Sequence, residues 1–268
     1  MYVDSHCHLS FPELSQRLPE IRAAMAQAQV DRALCICTRL EEFEAVHALA
    51  TGYDNFWASV GVHPDSEDVR EPSVQDLIER AALPRVVAIG ETGLDYFRLE
   101  GRSIADMEWQ RERFRVHSRA ARASRLPLVV HTRSASDDTL AILREEGAEV
   151  AGGVFHCFTE TEHVARAALK LGFHISFSGI LTFKTAGDLR EIARWLPLER
   201  CLIETDSPYL APVPYRGKVN NPSYVPFVAR QIAALKDLAV EDVAAATTRN
   251  FERLFLESKR HQEPRATL

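Results

Sequence analysis

The chain has 268 residues, with 32 basic and 38 acidic side chains and a formal net charge of −6. That length fits one α/β barrel or two smaller domains, and it is sufficient for a large hydrophobic core. Hydrophobic and charged fractions of 46% and 26% are typical of a soluble globular protein. The charge excludes a protein that holds nucleic acid through a broad basic surface, but it allows an enzyme that contacts only a strand end.

Several bulk features predict a protein of the reducing cytoplasm. The chain has no apolar run near about 18 residues, so we expect no transmembrane helix and no membrane partner. The residues from Met1 to His6 lack the pattern of a secretory leader, and we therefore expect a cytoplasmic location. The five cysteines are scattered through apolar segments, which favours free thiols over disulfides. No feature indicates an obligate protein partner.

Apolar segments alternate with amphipathic ones along the chain. Strands are predicted at residues 2–8, 33–37, 56–64, 85–91, 128–133, 152–158, 173–177 and 200–206. Helices are predicted at 18–30, 41–50, 73–82, 104–125, from 134 to 146, and at 161–171, 186–195, 223–236 and 240–258. This order predicts a (β/α)₈ TIM barrel of the α/β class, as a single domain over residues 1–258 with a polar tail at 259–268. A doubly wound open sheet is the alternative.

The positions of the polar residues favour closure into a barrel. Histidines and acids fall at or just past the C-terminal ends of six of the predicted strands. They are His6, His8, His63, Glu91, His131, His156 and Asp206. In an open sheet these strand ends would form a row too long to meet at one point, whereas in a closed barrel they converge on the rim where barrel active sites lie.

The first and last predicted strands carry the most informative spacings. His6 and His8 lie two residues apart, so both imidazoles can reach one metal ion from the same side of a strand. Glu204 and Asp206 likewise share a face of an apolar strand, where an unpaired charge is costly. We expect Asp206 to bind metal and Glu204 to lie deeper, where it orients a ligand or pairs with Arg133.

This set of imidazoles and carboxylates predicts a metal site at the C-terminal rim, with enough ligands for two divalent ions. Glu91, midway along the chain, is the candidate bridge between the ions, and Zn²⁺, Mn²⁺ and Mg²⁺ all remain open. Two ions held about 4 Å apart polarise a phosphoryl oxygen and lower the pKa of a bound water. Asp206 is the candidate acceptor for the proton of that water. Neither GxSxG nor GxxxxGK[ST] occurs, so we infer that water is the nucleophile.

Other polar groups near the predicted rim are candidate substrate contacts. We expect His63 to bind a phosphate or the leaving oxygen, and Arg133 to hold a phosphate. Arg216 and Lys218 flank a glycine in the loop after the eighth strand, where the backbone can approach a phosphate closely. By contrast, we expect most of the arginines in the middle of the longest predicted helix to form a solvated outer face; these are Arg111, Arg113 and Arg115.

Eight short segments combine into a specific pattern. They are DSHCHL at 4–9, GVHP at 61–64, GETGLDY at 90–96, PLVVHTR at 127–133, HCF at 156–158, ETDSPYLAP at 204–212, RGK at 216–218 and NF at 250–251. In this order, and over nearly the whole chain, the sequence resembles the TatD family of metal-dependent deoxyribonucleases, within the amidohydrolase-like barrels. The chain departs from the family pattern in two predicted rim loops. TET at 159–161 lacks the usual glycine, and NNP at 220–222 replaces Asn-Glu-Pro.

The resemblance implies a barrel with a two-metal site that hydrolyses phosphodiesters, often as a 3′→5′ exonuclease on DNA and sometimes on RNA. It places Glu204 and His63 close to the metals or to the scissile phosphate. The ligand sets that it implies are His6, His8, Glu91 and Asp206 for one ion, and Glu91, His131 and His156 for the other.

Two other functions are compatible with the same residues. A metal-activated water also hydrolyses esters and amides, for example in the deacylation of misacylated transfer RNA. In many amidohydrolases of this shape a modified lysine on the fourth strand is the bridge, and Glu91 at that position disfavours their subgroup. A scaffold with a structural metal would have a closed tetrahedral site, which the surplus of candidate ligands disfavours.

Overall fold

The structure is a computed structural model, and it describes residues 1–257, so the predicted tail at 259–268 lies outside the described residues. Eight parallel strands are hydrogen-bonded to one another in chain order. The strands are β1 (Tyr2–Cys7), β2 (Val30–Cys35), β3 (Phe56–Val60), β4 (Val86–Asp95), β5 (Leu128–Arg133), β6 (Gly153–Phe155), β7 (His174–Phe177) and β8 (Cys201–Ile203).

Helices follow the strands and cover the outside of the sheet, as the alternating pattern predicts. They are α1 (Pro12–Ser15), α2 (Leu18–Gln27), α3 (Phe43–Gly52), α4 (Val74–Ala81), α5 (Glu108–Ser124), α6 (Ser136–Glu145), α7 (Glu162–Lys170), α8 (Gly187–Trp195), α9 (Val225–Lys236) and α10 (Val240–Phe251). A π-helical segment, Glu252–Glu257, continues α10. Local signals define several of these ends. In α4, for example, Ser73 and Asp76 form a reciprocal capping box.

Hydrogen bonds between the C-terminal end of β1 and the segment after β8 close the sheet into a barrel. The amide of Asp206 donates to the carbonyl of His6 at 3.0 Å, and the amide of His8 donates to the carbonyl of Ser207 at 2.9 Å. The sheet is therefore a TIM barrel rather than an open sheet, and the predicted fold class is confirmed.

The C-terminal helix covers the end of the barrel at which the strands begin. Its Phe251 and the following Phe255 pack in one buried cluster with residues from six strands, Val3 and Leu202 among them. Asn250 donates to the carbonyls of Leu198 and Cys201, both at 2.8 Å, just before and at the start of β8. This end of the barrel is thereby filled, and the opposite end is left for the polar residues.

β4 is longer than predicted. The sequence suggests a strand at 85–91 and then a turn, but β4 continues to Asp95 and pairs with β5 through Gly93 and His131. Gly93 has φ 131°, and a Cβ at this position would lie 1.9 Å from the carbonyl oxygen of His131. Because glycine permits this close approach, β4 continues past Glu91 and brings Asp95 to the same end of the barrel.

β6 and β8 are shorter than predicted. β8 ends at Ile203, so the prediction that Glu204 and Asp206 share a face of that strand is wrong. Asp206 has φ 55°, a left-handed conformation that aspartate tolerates better than most residues. The chain therefore turns after the strand, and the two carboxylates diverge. β6 similarly ends at Phe155, immediately before His156.

Two expectations about the whole chain can be compared with the structure. All five cysteines are free thiols, as expected. Among residues 1–257, no helix has both the length and the apolar character that crossing a lipid bilayer requires.

The Gly93 contact gives a test of this fold. Gly93→Ala should lower the free energy of unfolding by about 3 kcal/mol or more, because the added Cβ collides with rigid backbone in β5. Gly52→Ala is the matched control, since nothing lies within 4 Å of a Cβ at Gly52. That change should alter stability by at most about 1 kcal/mol. Urea denaturation of both variants measures the difference, and equal stabilities would contradict the strand pairing described here.

Candidate metal centre

The side chains of His6 and His8 meet two carboxylates at the open end of the barrel. His6 Nε2 lies 3.3 Å from His8 Nε2, 3.3 Å from Glu91 Oε2 and 3.6 Å from Asp206 Oδ1. His8 Nε2 lies 3.3 Å from Asp206 Oδ1 and 3.9 Å from Glu91 Oε2. The four residues that the sequence suggests for one ion are thus brought together, at spacings that a single cation can span.

A second group surrounds the other oxygen of Glu91. Glu91 Oε1 lies 2.7 Å from His156 Nε2 and 3.2 Å from His131 Nδ1. His63 Nε2 is also 3.2 Å from Glu91 Oε1, and it is 3.4 Å from His131 Nδ1. The sequence suggests His63 as a substrate contact, and the structure places it within the second group as well.

Glu91 is therefore the residue that the two groups share. Its side chain is only 3% exposed. Burial opposes its ionisation, but the imidazoles of His156, His63 and His6 hold the pKa of its carboxyl well below the ordinary value. A buried carboxylate in this charge state requires positive charge on both sides, which protons on the histidines or metal ions can supply.

Three of the histidines have a carboxylate behind them. His131 Nε2 lies 3.0 Å from Asp95 Oδ2, and His156 Nδ1 lies 3.2 Å from Glu204 Oε1. His63 Nδ1 hydrogen-bonds to Asp65. Each carboxylate orients its imidazole so that the other ring nitrogen faces Glu91, an arrangement that is typical of metal-binding histidines.

Asp95 and Asp65 are functional candidates that the sequence interpretation missed. Asp95 lies four residues after Glu91, which is the period-2 spacing of one strand face, but this signal was hidden by the turn predicted at 92–95. Asp65 lies two residues after His63 and past a proline, where strand alternation gives no guidance.

A buried hydrogen-bond network holds the segment that carries Asp206. The carboxylate of Asp4 accepts from the amide of Thr205 at 2.9 Å and from its hydroxyl at 2.5 Å. The side chain of Asn220 donates to the carbonyl of Thr205 at 2.9 Å. The residue before Asp206 is thus bonded both to β1 and to the loop that carries Asn220, although it lies outside β8.

Burial and the neighbouring charges shift the pKa values of the histidines around Glu91 in different directions. Burial lowers the pKa of His63, but Glu91 and Asp65 outweigh this effect and raise it to about 10. For His156, burial is again outweighed, here by Glu91 and Glu204, and its pKa lies well above the ordinary value. Burial and the nearby His156 lower the pKa of His6. His63 and His156 therefore carry protons at neutral pH, and a divalent cation bound by His156 would displace the proton of that ring.

The donor set fits divalent metal ions. Imidazole nitrogens and carboxylate oxygens suit Zn²⁺, Mn²⁺ and related ions. In the cluster of His6, His8 and Glu91, and in that of His63, Glu91 and His131, the donor atoms lie within 4.8 Å of one another. One ion can therefore contact all three donor atoms of a cluster.

The two groups lie at the base of a cleft of about 780 Å³. Arg133 lines this cleft, whereas the residues that line it do not include Arg216 or Lys218. These two side chains are exposed on the loop after β8, where Arg216 stacks on Phe183 at 3.7 Å.

Within residues 1–257 no ion pair joins Arg133 to Glu204, so the predicted pairing of these two residues is wrong. The reason is that Glu204 is fully buried against His156.

One arginine of α5 supports the segment after β3. Arg113 is buried, so the expectation of a solvated outer face is wrong for this residue. Its Nη1 donates to the carbonyls of His63 and Ser66, both at 2.8 Å, and its guanidinium pairs with Glu71. The charge of Arg113 is thus used to hold the backbone on which His63 lies.

A closed barrel with imidazole and carboxylate groups at the C-terminal ends of its strands defines a metal-dependent hydrolase of the TIM-barrel class. Residues 3–256 match the family model described as TatD related DNase. The chain therefore belongs to the TatD family.

Relatives and solved structures agree with this assignment. An uncharacterized metal-dependent hydrolase, YcfH of Escherichia coli K12, is 47% identical over 94% of this chain and 95% of its own length. The protein named 3′-5′ ssDNA/RNA exonuclease TatD of Citrobacter rodentium is 35% identical over 88% of this chain and 90% of its own length. The crystal structure of the TatD homolog YJJV from Escherichia coli K12 superposes with a TM-score of 0.87 at 29% identity, covering 95% of this chain and 98% of that one.

The support for His63 can be tested through stability. Arg113→Met should lower the free energy of unfolding by about 3 kcal/mol, because it leaves buried carbonyl groups without a donor. Arg115→Met is the matched control, since Arg115 lies on the same helix and its ion-pair partners within residues 1–257 are all exposed glutamates. It should cost no more than about 1 kcal/mol. Chemical denaturation of both variants makes the comparison, and a similar loss in the two would count against the role of Arg113.

Proposed function

We propose that this protein is a divalent-metal-dependent exonuclease that removes nucleotides from the 3′ end of DNA, with RNA as the alternative polymer. The observation that carries this proposal is the sharing of Glu91 by two groups of histidines at the base of an open cleft. Two cations on either side of one carboxylate suit the in-line displacement of a phosphodiester. The name of the Citrobacter rodentium relative, 3′-5′ ssDNA/RNA exonuclease, supports the same activity.

The proposed ligands follow the two groups. His6, His8, Glu91 and Asp206 would hold one ion, and Glu91, His131 and His156 would hold the other. Divalent ions bound there would polarise the phosphoryl oxygens and make a bound water acidic enough to attack. Zn²⁺, Mn²⁺ and Mg²⁺ are the candidate ions.

The residues around these groups have separate proposed tasks. The side chain of Asp206 is 15% exposed, whereas that of Glu91, the other candidate carboxylate ligand, is 3% exposed. Burial raises the pKa of Asp206, but His8 and the neighbouring imidazoles outweigh this effect and hold the pKa below its ordinary value. The carboxylate is therefore ionised and can accept the proton of the attacking water. His63 is 15% exposed to the cleft and would bind the phosphate or give a proton to the leaving oxygen. Glu204 orients His156.

The proposed contacts with the strand lie farther out. Arg133 lines the cleft and would hold a phosphate close to the metals. Arg216 and Lys218 lie on the exposed loop after β8 and would contact only a strand that extends out of the cleft over that loop.

The shared role of Glu91 predicts a change in metal content. Glu91→Ala should lose at least one bound ion per chain and most of the activity, because both groups lose an anionic ligand. Glu42→Ala is the control, since Glu42 lines the same cleft but bonds only to Thr38 among the described residues. Elemental analysis after dialysis against Mn²⁺ or Zn²⁺ measures the content. Full occupancy in Glu91→Ala would contradict the bridging role.

The activity itself can be tested with single-stranded DNA labelled at its 5′ end. In Mg²⁺ or Mn²⁺ the labelled strand should shorten stepwise from the 3′ end, and a chelator should stop the reaction until metal is restored. A panel of carboxylic esters and amides, misacylated transfer RNA among them, is tested in parallel. Hydrolysis of those compounds without nucleotide release would replace the nuclease with an acyl hydrolase.

A further inference from the structure

Two aromatic side chains border the cleft beside the first group of candidate ligands. Phe11 stacks on His8, with ring centroids 4.7 Å apart, and Tyr209 meets Phe11 edge-on with a centroid distance of 6.5 Å. Both residues line the cleft, and Tyr209 is 55% exposed. We call Phe11 and Tyr209 the aromatic pair. Its rings offer aromatic surface to a cleft whose other lining residues, except Leu210, are polar or charged.

The backbone fixes the aromatic pair relative to the candidate ligands. The amide of Phe11 donates to the carbonyl of His8 at 3.0 Å, and the amide of Tyr209 donates to the carbonyl of Asp206 at 3.0 Å. The side chain of Asn220 donates to the carbonyl of Tyr209 at 2.6 Å. Each ring thus lies three residues after a candidate ligand and in a short, hydrogen-bonded turn, so its position is set by the same strand ends.

Arginines line the cleft on the loops after β2 and β4 and at the last position of β5, and we call them the arginine group: Arg39, Arg98, Arg102 and Arg133. The guanidinium of Arg133 stacks on Phe97 at 3.6 Å, and Arg102 pairs with Glu67. Among the described residues, Arg39 and Arg98 have no side-chain ion pair, and both are exposed. The cleft therefore has arginines near the C-terminal ends of β2, β4 and β5, and aromatic rings on the loops after β1 and β8.

We propose that the aromatic pair is a stacking subsite for the base of the terminal nucleotide, and that the rest of the strand lies along the arginine group. This inference rests on the proposed nuclease function and adds the direction in which the strand lies in the cleft. An aromatic face binds any base, because every base has a π-face, whereas guanidinium groups bind the repeated phosphates of the strand. The scissile phosphate would then lie between the two surfaces, over Glu91. Addition of water to this phosphorus would break its bond to the O3′ of the remaining strand, so the stacked nucleotide leaves with the phosphate and the strand keeps a 3′-hydroxyl.

The test compares two single-stranded DNA substrates that differ only at the 3′ terminus. One ends in an ordinary nucleotide, and the other ends in an abasic tetrahydrofuran residue with the same phosphodiester. The wild-type protein should release the ordinary nucleotide about tenfold faster or more, as measured by kcat/KM, because stacking contributes to binding only when a base is present. Tyr209→Ala and Phe11→Ala should reduce this ratio toward one.

A third aromatic residue provides the control. Phe97 is 56% exposed and lies with Arg133, away from the aromatic pair. Phe97→Ala should lower the rates on both substrates by the same factor and leave their ratio unchanged. Tyr209 is largely exposed, so Tyr209→Ala should fold normally and keep its metal content, which circular dichroism and elemental analysis verify.

The outcomes separate this inference from the function on which it rests. Equal rates of the wild-type protein on the two substrates, or an unchanged ratio in both Tyr209→Ala and Phe11→Ala, would overturn the stacking subsite and leave the nuclease intact. Failure to release nucleotides from either substrate in the presence of metal would overturn both. A ratio that falls in Tyr209→Ala and Phe11→Ala but not in Phe97→Ala supports the subsite.

Discussion

The organisation of this end of the barrel depends on one buried carboxylate. Glu91 has almost no contact with solvent, yet its charge is retained because five imidazoles surround it. The free energy of burying an anion is unfavourable unless opposite charge lies close by, so the histidines and Glu91 can occupy this space only together. Those histidines come from four parts of the barrel. Its closure and the ionisation of Glu91 are therefore linked.

Three further carboxylates fix the orientation of the histidine rings around Glu91. Asp95, Glu204 and Asp65 each bind the far nitrogen of a histidine, so three rings are oriented by their outer partners rather than by Glu91 alone. The charges then form layers, with carboxylates outside, imidazoles between them and Glu91 at the centre. Metal ions that enter such a site meet rings that are already oriented, which reduces the cost of ordering them on binding.

Much of the fold and of the site could be predicted, because both depend on periodic or local signals. The strand-and-helix alternation and the polar residues at strand ends were sufficient for the barrel and for the convergence of His6, His131 and the other candidate ligands. Errors arose where the tertiary structure overrides local pattern. The continuation of β4 to Asp95 depends on the contact between Gly93 and the backbone of β5, which no local pattern encodes.

The position of Arg113 shows a second limit of sequence interpretation. Its neighbours along α5 are polar, and one helix turn is about 3.6 residues, so a charged residue there is expected to face solvent. Its burial depends on carbonyl groups of the segment after β3, some fifty positions away in the chain. An acceptor set of that kind can be recognised only in the folded protein.

The hydrogen bond between Asp4 and Thr205 joins the first strand to the segment after the last strand, 201 positions apart in the chain. Asp206 is the last candidate ligand along the chain, so it can meet His6 and His8 only after β8 has been synthesised. A chain that ends just before β8 contains the early histidines but lacks the carboxylate that lies 3.6 Å from His6 Nε2 and 3.3 Å from His8 Nε2. Such a fragment cannot complete the first group of candidate ligands, although it contains seven of the eight strands.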